Sequence, residues 1–248
     1  MSRHTALRPG TLDLLRQAST ATITTQLFQR GLRNVFMQGL TPLNPDHCRF
    51  AGEAMTLRNI PMREDLDTLE IFRNPENPQR KAVEMVGDGQ VLVQDCRGDT
   101  RAASGGNILV TRMRMRGAVA MVTDGSVRDS QDIAQQPFPV FAKGRSATLN
   151  LVAHHAVDID VPIACAGVAV YPGDIIVGDE EGVVVIPRHL ADEIAQPAAE
   201  QEIMERFILE KVEAGSALPG VYPPNEETLA EYGLWREVYD HLHGKGGA

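Results

Sequence analysis

The spacing of apolar residues changes along the chain, and with it the kind of element that the sequence predicts. Helical spacing predicts one helix over TLDLLRQA (11–18) and a second over roughly ITTQLFQRGL (23–32), with Gly31 near its end as a typical stop signal. Period-two alternation in RFAGEAMTLRNIP (49–61) predicts a strand. The stretch 62–86 is charged and broken by prolines, which indicates a surface insertion with helical ends and an exposed loop at 74–79.

The middle of the chain alternates between strand and helix. VLVQD and AVAMV predict short buried strands, ILVTRMRMRG predicts a helix, and the Asp-Gly pair in TDGSVRD predicts a turn between strand and helix. The residues from 158 to 187 are β-rich. Helical spacing returns at 188–215, where Pro197 is expected to separate a short helix from a longer one. We therefore predict one α/β domain over 1–248, with a core at about 21–215 and a helical C-terminal extension at 216–248.

Composition narrows the functional classes. The formal net charge of −9 argues against nucleic acid as a partner, because phosphate contacts require a basic face. Apolar runs fall short of the roughly 18 to 20 residues that span a bilayer, and the first residues lack the apolar core of a signal peptide, so we expect a cytoplasmic protein with no membrane partner. The three cysteines show no C-x-x-C spacing, which suggests neither a disulfide framework nor a zinc site.

SGGNIL (104–109) follows a predicted strand and opens a predicted helix. Two glycines allow the backbone to approach a ligand closely, and the free N–H groups at the positive end of a helix bind a carboxylate or a phosphate. The simpler interpretation is a serine cap with turn glycines. The loop is not a Walker motif, because no Gly-Lys-Ser/Thr follows.

DGSVRD (124–129) repeats this arrangement one strand later. Ligands of open α/β sheets gather beyond the carboxyl ends of the strands, so both loops are expected at the same edge. Arg128 offers a planar fork for a carboxylate, and Asp129 offers a hard oxygen to a divalent cation such as magnesium. The alternative is that Asp129 merely favours a helix N-terminus.

Together the two loops match the chemistry of a 2-oxo acid. Helix N–H groups and Arg128 would bind its carboxylate, while a metal on Asp129 would contact the adjacent keto oxygen. Polarising that oxygen stabilises the enolate formed when a C–C bond breaks, a contribution of several kcal/mol.

The ordered series GDGQVLVQD, G-D-x-R-A-A-x-G-G-N-I-L, G-A-V-A-M-V-T-D-G-S-V-R-D, P-x-F-x-x-G and PGDIIVGDEEGVVVIP resembles the RraA-like family over roughly 21–215. That family includes the class II 4-hydroxy-4-methyl-2-oxoglutarate/4-carboxy-4-hydroxy-2-oxoadipate aldolases. The resemblance implies an α/β/β sandwich of the swivelling-domain type, assembled as homotrimers or homohexamers with active sites between subunits. It also implies Mg²⁺ or Mn²⁺ as cofactor, pyruvate as product, and oxaloacetate decarboxylation as a companion activity.

Carried over residue by residue, the resemblance assigns the metal to Asp129 and the pyruvate carboxylate and enolate oxygen to Arg128. It assigns the carboxylate-binding backbone loop to the four residues after the strand: Gly106, Asn107, Ile108 and Leu109.

The sequence departs from the family pattern at two positions. Asn107 stands where the aldolases commonly have an acidic residue, and Thr25 stands where an Asp is frequent, so the group that relays the proton is not identified. The family also uses a Glu from the neighbouring subunit's C-terminal region, for which Glu202 is our choice and Glu205 the alternative.

Two other functions compete with the aldolase. The same family contains the regulator of ribonuclease activity, which binds and inhibits an endoribonuclease; the resemblance implies that this branch lacks the Arg128–Asp129 pair. A 2-oxo-3-deoxy sugar acid aldolase is the third option, since the insertion could reshape the pocket. His154 and His155 are interpreted as packing residues, and Trp235 and Tyr239 as a packing pair on the last helix.

Overall fold

A computed structural model describes residues 6–243 of the chain. Its helices are α1 (Thr11–Gln17), α2 (Thr20–Gln29), α3 (Pro78–Met85), α4 (Asn107–Met115), α5 (Ser130–Ala134), α6 (Arg188–Glu213) and α7 (Glu226–His243). Its strands are β1 (Phe36–Met37), β2 (Thr41–Pro42), β3 (Phe50–Pro61), β4 (Gln90–Asp95), β5 (Ala103–Gly105), β6 (Ala120–Val127), β7 (Val140–Arg145), β8 (His154–Ile159), β9 (Ile163–Cys165), β10 (Val168–Val170), β11 (Ile175–Asp179) and β12 (Gly182–Ile186).

The large sheet has parallel strands at its centre and antiparallel strands at its flanks. Its strands run in the order β1-β12-β11-β3-β4-β6-β7-β2, with β5 paired to β6 and β8 paired to β3. The neighbours β3, β4, β6 and β7 are parallel, whereas β11 and β12 form an antiparallel hairpin. The parallel strands place their carboxyl ends on one edge, which is where the candidate loops leave the sheet.

Alternate residues of the central strands enter different hydrophobic clusters. In β4, Val91 and Val93 pack in the cluster under the β9–β10 hairpin, whereas Leu92 faces the helices. On that helical side, α3, α4 and α5 cover the parallel half of the sheet, and α1, α2 and α6 cover the half formed by β11 and β12. The molecule is therefore an α/β/β sandwich, which confirms the predicted fold class.

The C-terminal helix α7 packs against α6 through aromatic rings. Phe207 of α6 lies 5.6 Å from the ring of Trp235, and Trp235 stacks on Tyr239 at 4.9 Å. These contacts confirm the predicted packing pair. No helix in the described range 6–243 combines the length and apolar character needed to cross a bilayer.

The predicted break at Pro197 is wrong. Helix α6 runs from Arg188 to Glu213 with Pro197 inside it. A proline inside a helix removes one hydrogen bond and costs about 3 kcal/mol. The packing of α6 outweighs this cost, because Ile194, Ala195 and Ala198 on either side of the proline are fully or almost fully buried against the rest of the fold.

The predicted Asp-Gly turn is also wrong. Strand β6 continues through Asp124 and Gly125 to Val127, with an irregularity in its pairing to β7 at this point. A Cβ at Gly125 would lie 2.8 Å from the Cβ of Cys96, so glycine is required here for close packing. The site loop consequently begins at Arg128, at the end of a longer strand.

The insertion between β3 and β4 has a helical C-terminal end in α3, as predicted, whereas its first residues, 62–68, are not helical and a 3-10 turn follows only at Leu69–Arg73. The expected exposed loop at 74–79 is wrong at two positions, because Asn77 and Gln79 are buried. The Asn77 side chain accepts a hydrogen bond from the Arg80 amide at the start of α3, and Gln79 Nε2 donates to the Ser104 carbonyl at 2.7 Å. These contacts explain the burial, since both side chains need partners inside the fold.

Candidate active site

The two loops that the sequence places at one edge of the sheet meet directly. β5 and β6 are parallel neighbours, and Gly105 pairs with Val127 at their ends. The Arg128 amide donates to the Gly105 carbonyl at 3.1 Å, and the Asn107 amide donates to Asp129 Oδ2 at 3.2 Å. The start of α4 and the Arg128–Asp129 pair therefore form one surface.

Backbone geometry explains how adjacent opposite charges come to face the same place. Asp129 adopts the left-handed conformation, with φ 55° and ψ 33°, between β6 and α5. Aspartate is among the few residues that tolerate this conformation, and it turns the chain sharply after Arg128. Arg128 Nε lies 3.7 Å from Asp129 Oδ2, and each side chain is 42% exposed, so the direct ion pair contributes little stability.

Gly106 allows the loops to approach this closely. A Cβ at this position would lie 2.7 Å from Asp129 Oδ2 and 3.0 Å from Arg128 Cγ. The backbone of Gly106, with φ −141°, is extended and can be adopted by any residue. Glycine is needed here because there is no room for a Cβ atom.

We expect Gly106→Ala to lower kcat/KM about 10- to 100-fold with a nearly unchanged melting temperature. The added methyl group displaces the flexible ends of Arg128 and Asp129, and a shift of about 1 Å in a positioning group can cost that much. Steady-state kinetics and thermal denaturation test this, with Gly233→Ala as control because nothing lies within 4 Å of a Cβ there. Full activity in Gly106→Ala would show that this contact is not needed.

The loops border a cleft of about 100 Å³. Five of the predicted site residues line it: Gly106, Ile108, Leu109, Arg128 and Asp129. The other lining residues are Phe72, Gln79, Arg80, Ala103, Gly105, Leu149 and Asn150. The first-turn amides of α4 have no partner within the helix, which leaves the positive helix end facing this region.

Asn107 contributes its backbone and not its side chain to this arrangement. Its side-chain carbonyl accepts a hydrogen bond from Gln136 Nε2, which also donates to Thr111 Oγ1 at 3.0 Å. The amide N–H of Asn107 points to Asp129 instead. The side chain is thus held on the α5 side of the loop.

Phe72 and Arg80 also line the cleft, although no sequence pattern marks either as a site residue. Both belong to the insertion, and the Arg80 guanidinium lies over the Phe72 ring at 4.8 Å. Burial lowers the pKa of Arg80, and the positive charge of Arg128 lowers it further. The Asn-Pro helix start at 77–78 could have placed Arg80 in a first helical turn, but nothing local shows which surface that turn faces.

The two predicted glutamates, and Thr25 at the second departure from the family pattern, do not line this cleft. Glu202 on α6 accepts a hydrogen bond from the Ser19 amide at 2.9 Å. Burial raises the pKa of Glu202, but hydrogen bonds from Thr22 and Ser19 outweigh it, and the pKa is lowered overall. Glu202 and Glu205 both line a surface groove beside α6. The exposed Thr25 side chain donates a hydrogen bond to the Ala21 carbonyl. A role for Glu202 or Glu205 in an active site between subunits stays a prediction.

Asp129 is the one carboxylate among the described residues that line the cleft. Within residues 6–243, no group of three or more His, Cys, Asp or Glu is arranged to hold a metal ion. Asp129 presents one carboxylate, and no described residue forms a hydrogen bond to its Oδ1. One carboxylate completed by waters and ligand oxygens suits Mg²⁺ or Mn²⁺, whereas structural zinc sites use four protein ligands, mostly Cys and His. Asp129 therefore fits the predicted metal.

Comparison with known proteins gives a consistent family. The family model RraA-like, described as Aldolase/RraA, matches residues 20–185. A protein of Halalkalibacterium halodurans, provisionally named a 4-hydroxy-4-methyl-2-oxoglutarate aldolase, is 35% identical over 138 residues, which are 54% of this chain and 65% of that protein. The 4-hydroxy-4-methyl-2-oxoglutarate aldolase of Thermus thermophilus is 33% identical over 139 residues, which are 56% of this chain and 76% of that protein.

The fold is also shared with a solved structure. Streptomyces coelicolor RraAS2, described as an unusual member of the RNase ES inhibitor RraA protein family, superposes with a TM-score of 0.72 at 28% identity. The match covers 82% of this chain and 98% of RraAS2. The family model covers most of the chain, and it coincides with the elements that build the cleft. The chain belongs to the RraA-like family.

Proposed function

We propose that this protein is a divalent-metal-dependent pyruvate aldolase, which cleaves a 4-hydroxy-2-oxo acid to pyruvate and a carbonyl compound and also decarboxylates oxaloacetate. The observation that carries the proposal is the convergence of the α4 N-terminus, Arg128 and Asp129 on one small cleft. The aldolase names of two relatives support the same reaction class.

The cleft offers two kinds of group to the carboxylate of a 2-oxo acid. The amides at the start of α4 provide aligned donors at the positive end of the helix, and Arg128 provides a planar guanidinium. The same guanidinium can neutralise negative charge that develops on the keto oxygen. Each hydrogen-bond donor that is already oriented before the reaction can stabilise the transition state by about 3 kcal/mol.

Asp129 would hold the divalent cation together with water molecules. When bound, the cation supplies a Lewis acid for the 2-oxo oxygen. Asp129 suits this role because the Asn107 amide donates to its Oδ2, while Oδ1 accepts no hydrogen bond from the described residues and the side chain is partly exposed.

In the reaction, the 4-hydroxyl group loses its proton, the C3–C4 bond breaks, and the bonding electrons form the enolate of pyruvate, which takes up a proton at C3. Asn107 cannot remove the first proton, because a carboxamide is not a base and its oxygen already accepts from Gln136. We therefore assign the base to a group outside this chain's own cleft, with Glu202 of a second copy in a homotrimer or homohexamer as the candidate.

A coupled assay tests the function. We expect pyruvate release, followed with lactate dehydrogenase, from at least one 4-hydroxy-2-oxo acid and from oxaloacetate when Mg²⁺ or Mn²⁺ is present. Treatment with a chelator is expected to reduce the rate about 100-fold or more, and added metal should restore it. Metal without enzyme serves as control, since metal ions also promote decarboxylation of oxaloacetate.

Release that is equally fast in chelator-treated and metal-loaded protein would contradict the metal-dependent mechanism. No release from any member of the panel would contradict the aldolase assignment.

The similarity to RraAS2 favours a second candidate, a regulator that binds a ribonuclease. Such a protein has no need for a metal-binding carboxylate beside an anion-binding loop. Absence of turnover, together with direct binding to an endoribonuclease that survives Arg128→Ala, would support this candidate over the enzyme.

A further inference from the structure

Arg80 adds a second cation to the cleft. It lies in the first turn of α3, and Arg80 and Arg128 both line the cavity, close enough for the charge of Arg128 to lower the pKa of Arg80. The Phe72 ring supports the Arg80 guanidinium from one side at 4.8 Å. Stacking of this kind fixes the orientation of the planar group while its N–H donors remain available.

The Arg80 guanidinium has no carboxylate partner among residues 6–243. No hydrogen bond or ion pair to its guanidinium occurs among the described residues, although other arginines near the insertion are paired, Arg73 with Glu70 and Arg112 with Glu84. The chain has 33 acidic against 24 basic residues, so a lack of carboxylates does not explain this. A partly buried, unpaired cation is costly unless a ligand provides the anion.

Arg80 is also held in place before any ligand arrives. Asn77 caps the start of α3, and the neighbouring Gln79 side chain donates to the Ser104 carbonyl, one residue from the end of β5. The helix that carries Arg80 is thereby attached to the strand that leads into Gly106. A site with fixed donors loses less conformational entropy on binding.

We infer that Arg80 is a specificity-determining residue that binds a second carboxylate, on the part of the substrate that leaves as the carbonyl product. This inference rests on the proposed function and assigns the two ends of the substrate: the 2-oxo acid end to Arg128 and α4, and the distal carboxylate to Arg80. A guanidinium forms two parallel hydrogen bonds to a carboxylate, and a hydroxyl group cannot match this geometry. We therefore expect this end of the cleft to prefer substrates with a distal carboxylate over substrates with a hydroxyl group there.

The test compares substrates that differ in the distal carboxylate. We expect Arg80→Met to lower kcat/KM for 4-hydroxy-4-methyl-2-oxoglutarate about 10- to 100-fold, and to leave kcat/KM for 4-hydroxy-2-oxopentanoate almost unchanged. Arg80→Lys should recover part of the loss, because it restores the charge but not the planar fork. Arg73→Ala is the matched control, since Arg73 belongs to the same insertion and does not line the cleft.

A binding experiment separates this inference from the proposed function. Isothermal titration calorimetry with Mg²⁺ present would compare pyruvate with 2-oxoglutarate, which adds a distal carboxylate. Arg80→Met should weaken binding of 2-oxoglutarate about 10-fold or more and leave pyruvate binding unchanged. Absence of turnover in the wild type would contradict the aldolase, while the calorimetric comparison would still decide the role of Arg80.

Equal losses for both ligands, or none for either, would overturn the inference. It would also be overturned by a wild-type preference for a 2-oxo-3-deoxy sugar acid that depends on Arg80. Circular dichroism of the variants shows whether the fold is intact.

Discussion

Replacing Asp129 with asparagine is expected to lower kcat/KM for pyruvate release about 1,000-fold, because in the proposed mechanism this carboxylate holds the metal, and its loss removes several kcal/mol of transition-state stabilisation. The fold should survive, since the side chain is 42% exposed. Asparagine also tolerates the left-handed backbone at this position and can still accept the hydrogen bond from the Asn107 amide.

The assay requires a metal titration beside the kinetics, because a weakened site can recover activity at high Mg²⁺ concentration. Asp132→Asn is the matched control: this residue lies in the first turn of α5, close in sequence but outside the cleft. Wild-type rates in Asp129→Asn at every metal concentration would remove Asp129 from the mechanism.

Asp124→Asn is expected to produce the largest loss of stability, about 2 to 4 kcal/mol in the free energy of unfolding. The carboxylate of Asp124 is buried and accepts hydrogen bonds from the amides of Cys96, Gly98 and Ala166, at 2.6, 2.8 and 3.3 Å. A carboxamide offers only one oxygen, so its NH₂ group would face at least one of these N–H donors.

Urea denaturation at neutral pH measures this loss. The control is Asp158→Asn, which removes an ion pair between partly exposed side chains of Asp158 and Arg58 and should cost less than about 1 kcal/mol. If the two variants unfold at the same urea concentration, the Asp124 network does not hold the end of β6 in place.

Local sequence patterns identified the sheet and the two candidate loops. The apolar run that contains β4 is recognisable because each of its faces packs against a different layer, which requires hydrophobic residues at successive positions. The convergence of Gly106 and Arg128 could be expected because the loops follow neighbouring parallel strands. The close contact of Gly106 with Asp129 depends on side-chain packing, and the sequence could not show it.

The errors share one cause, which is that contacts distant in sequence outweigh local preferences. Asp-Gly favours a turn, but the amides that bind Asp124 lie 28, 26 and 42 residues away and keep it within a strand. Arg80 was missed for the same reason: the attachment of α3 to the cleft runs through Gln79 and Ser104, 25 residues apart. No pattern within a helix or strand records such a contact.

The stretch between β3 and β4 begins and ends on adjacent parallel strands, which stay in register from Glu53 opposite Gln90 to Arg58 opposite Asp95. Near its start it is attached by Asp67, which accepts from the Arg63 amide and forms a 2.6 Å contact with His155 of β8. Doubling the length of a flexible connection costs only about 0.6 kcal/mol. An exchange of residues 62–81, which include Phe72 and Arg80, would therefore change one wall of the cleft while the surface formed by Gly106, Arg128 and Asp129 stays the same.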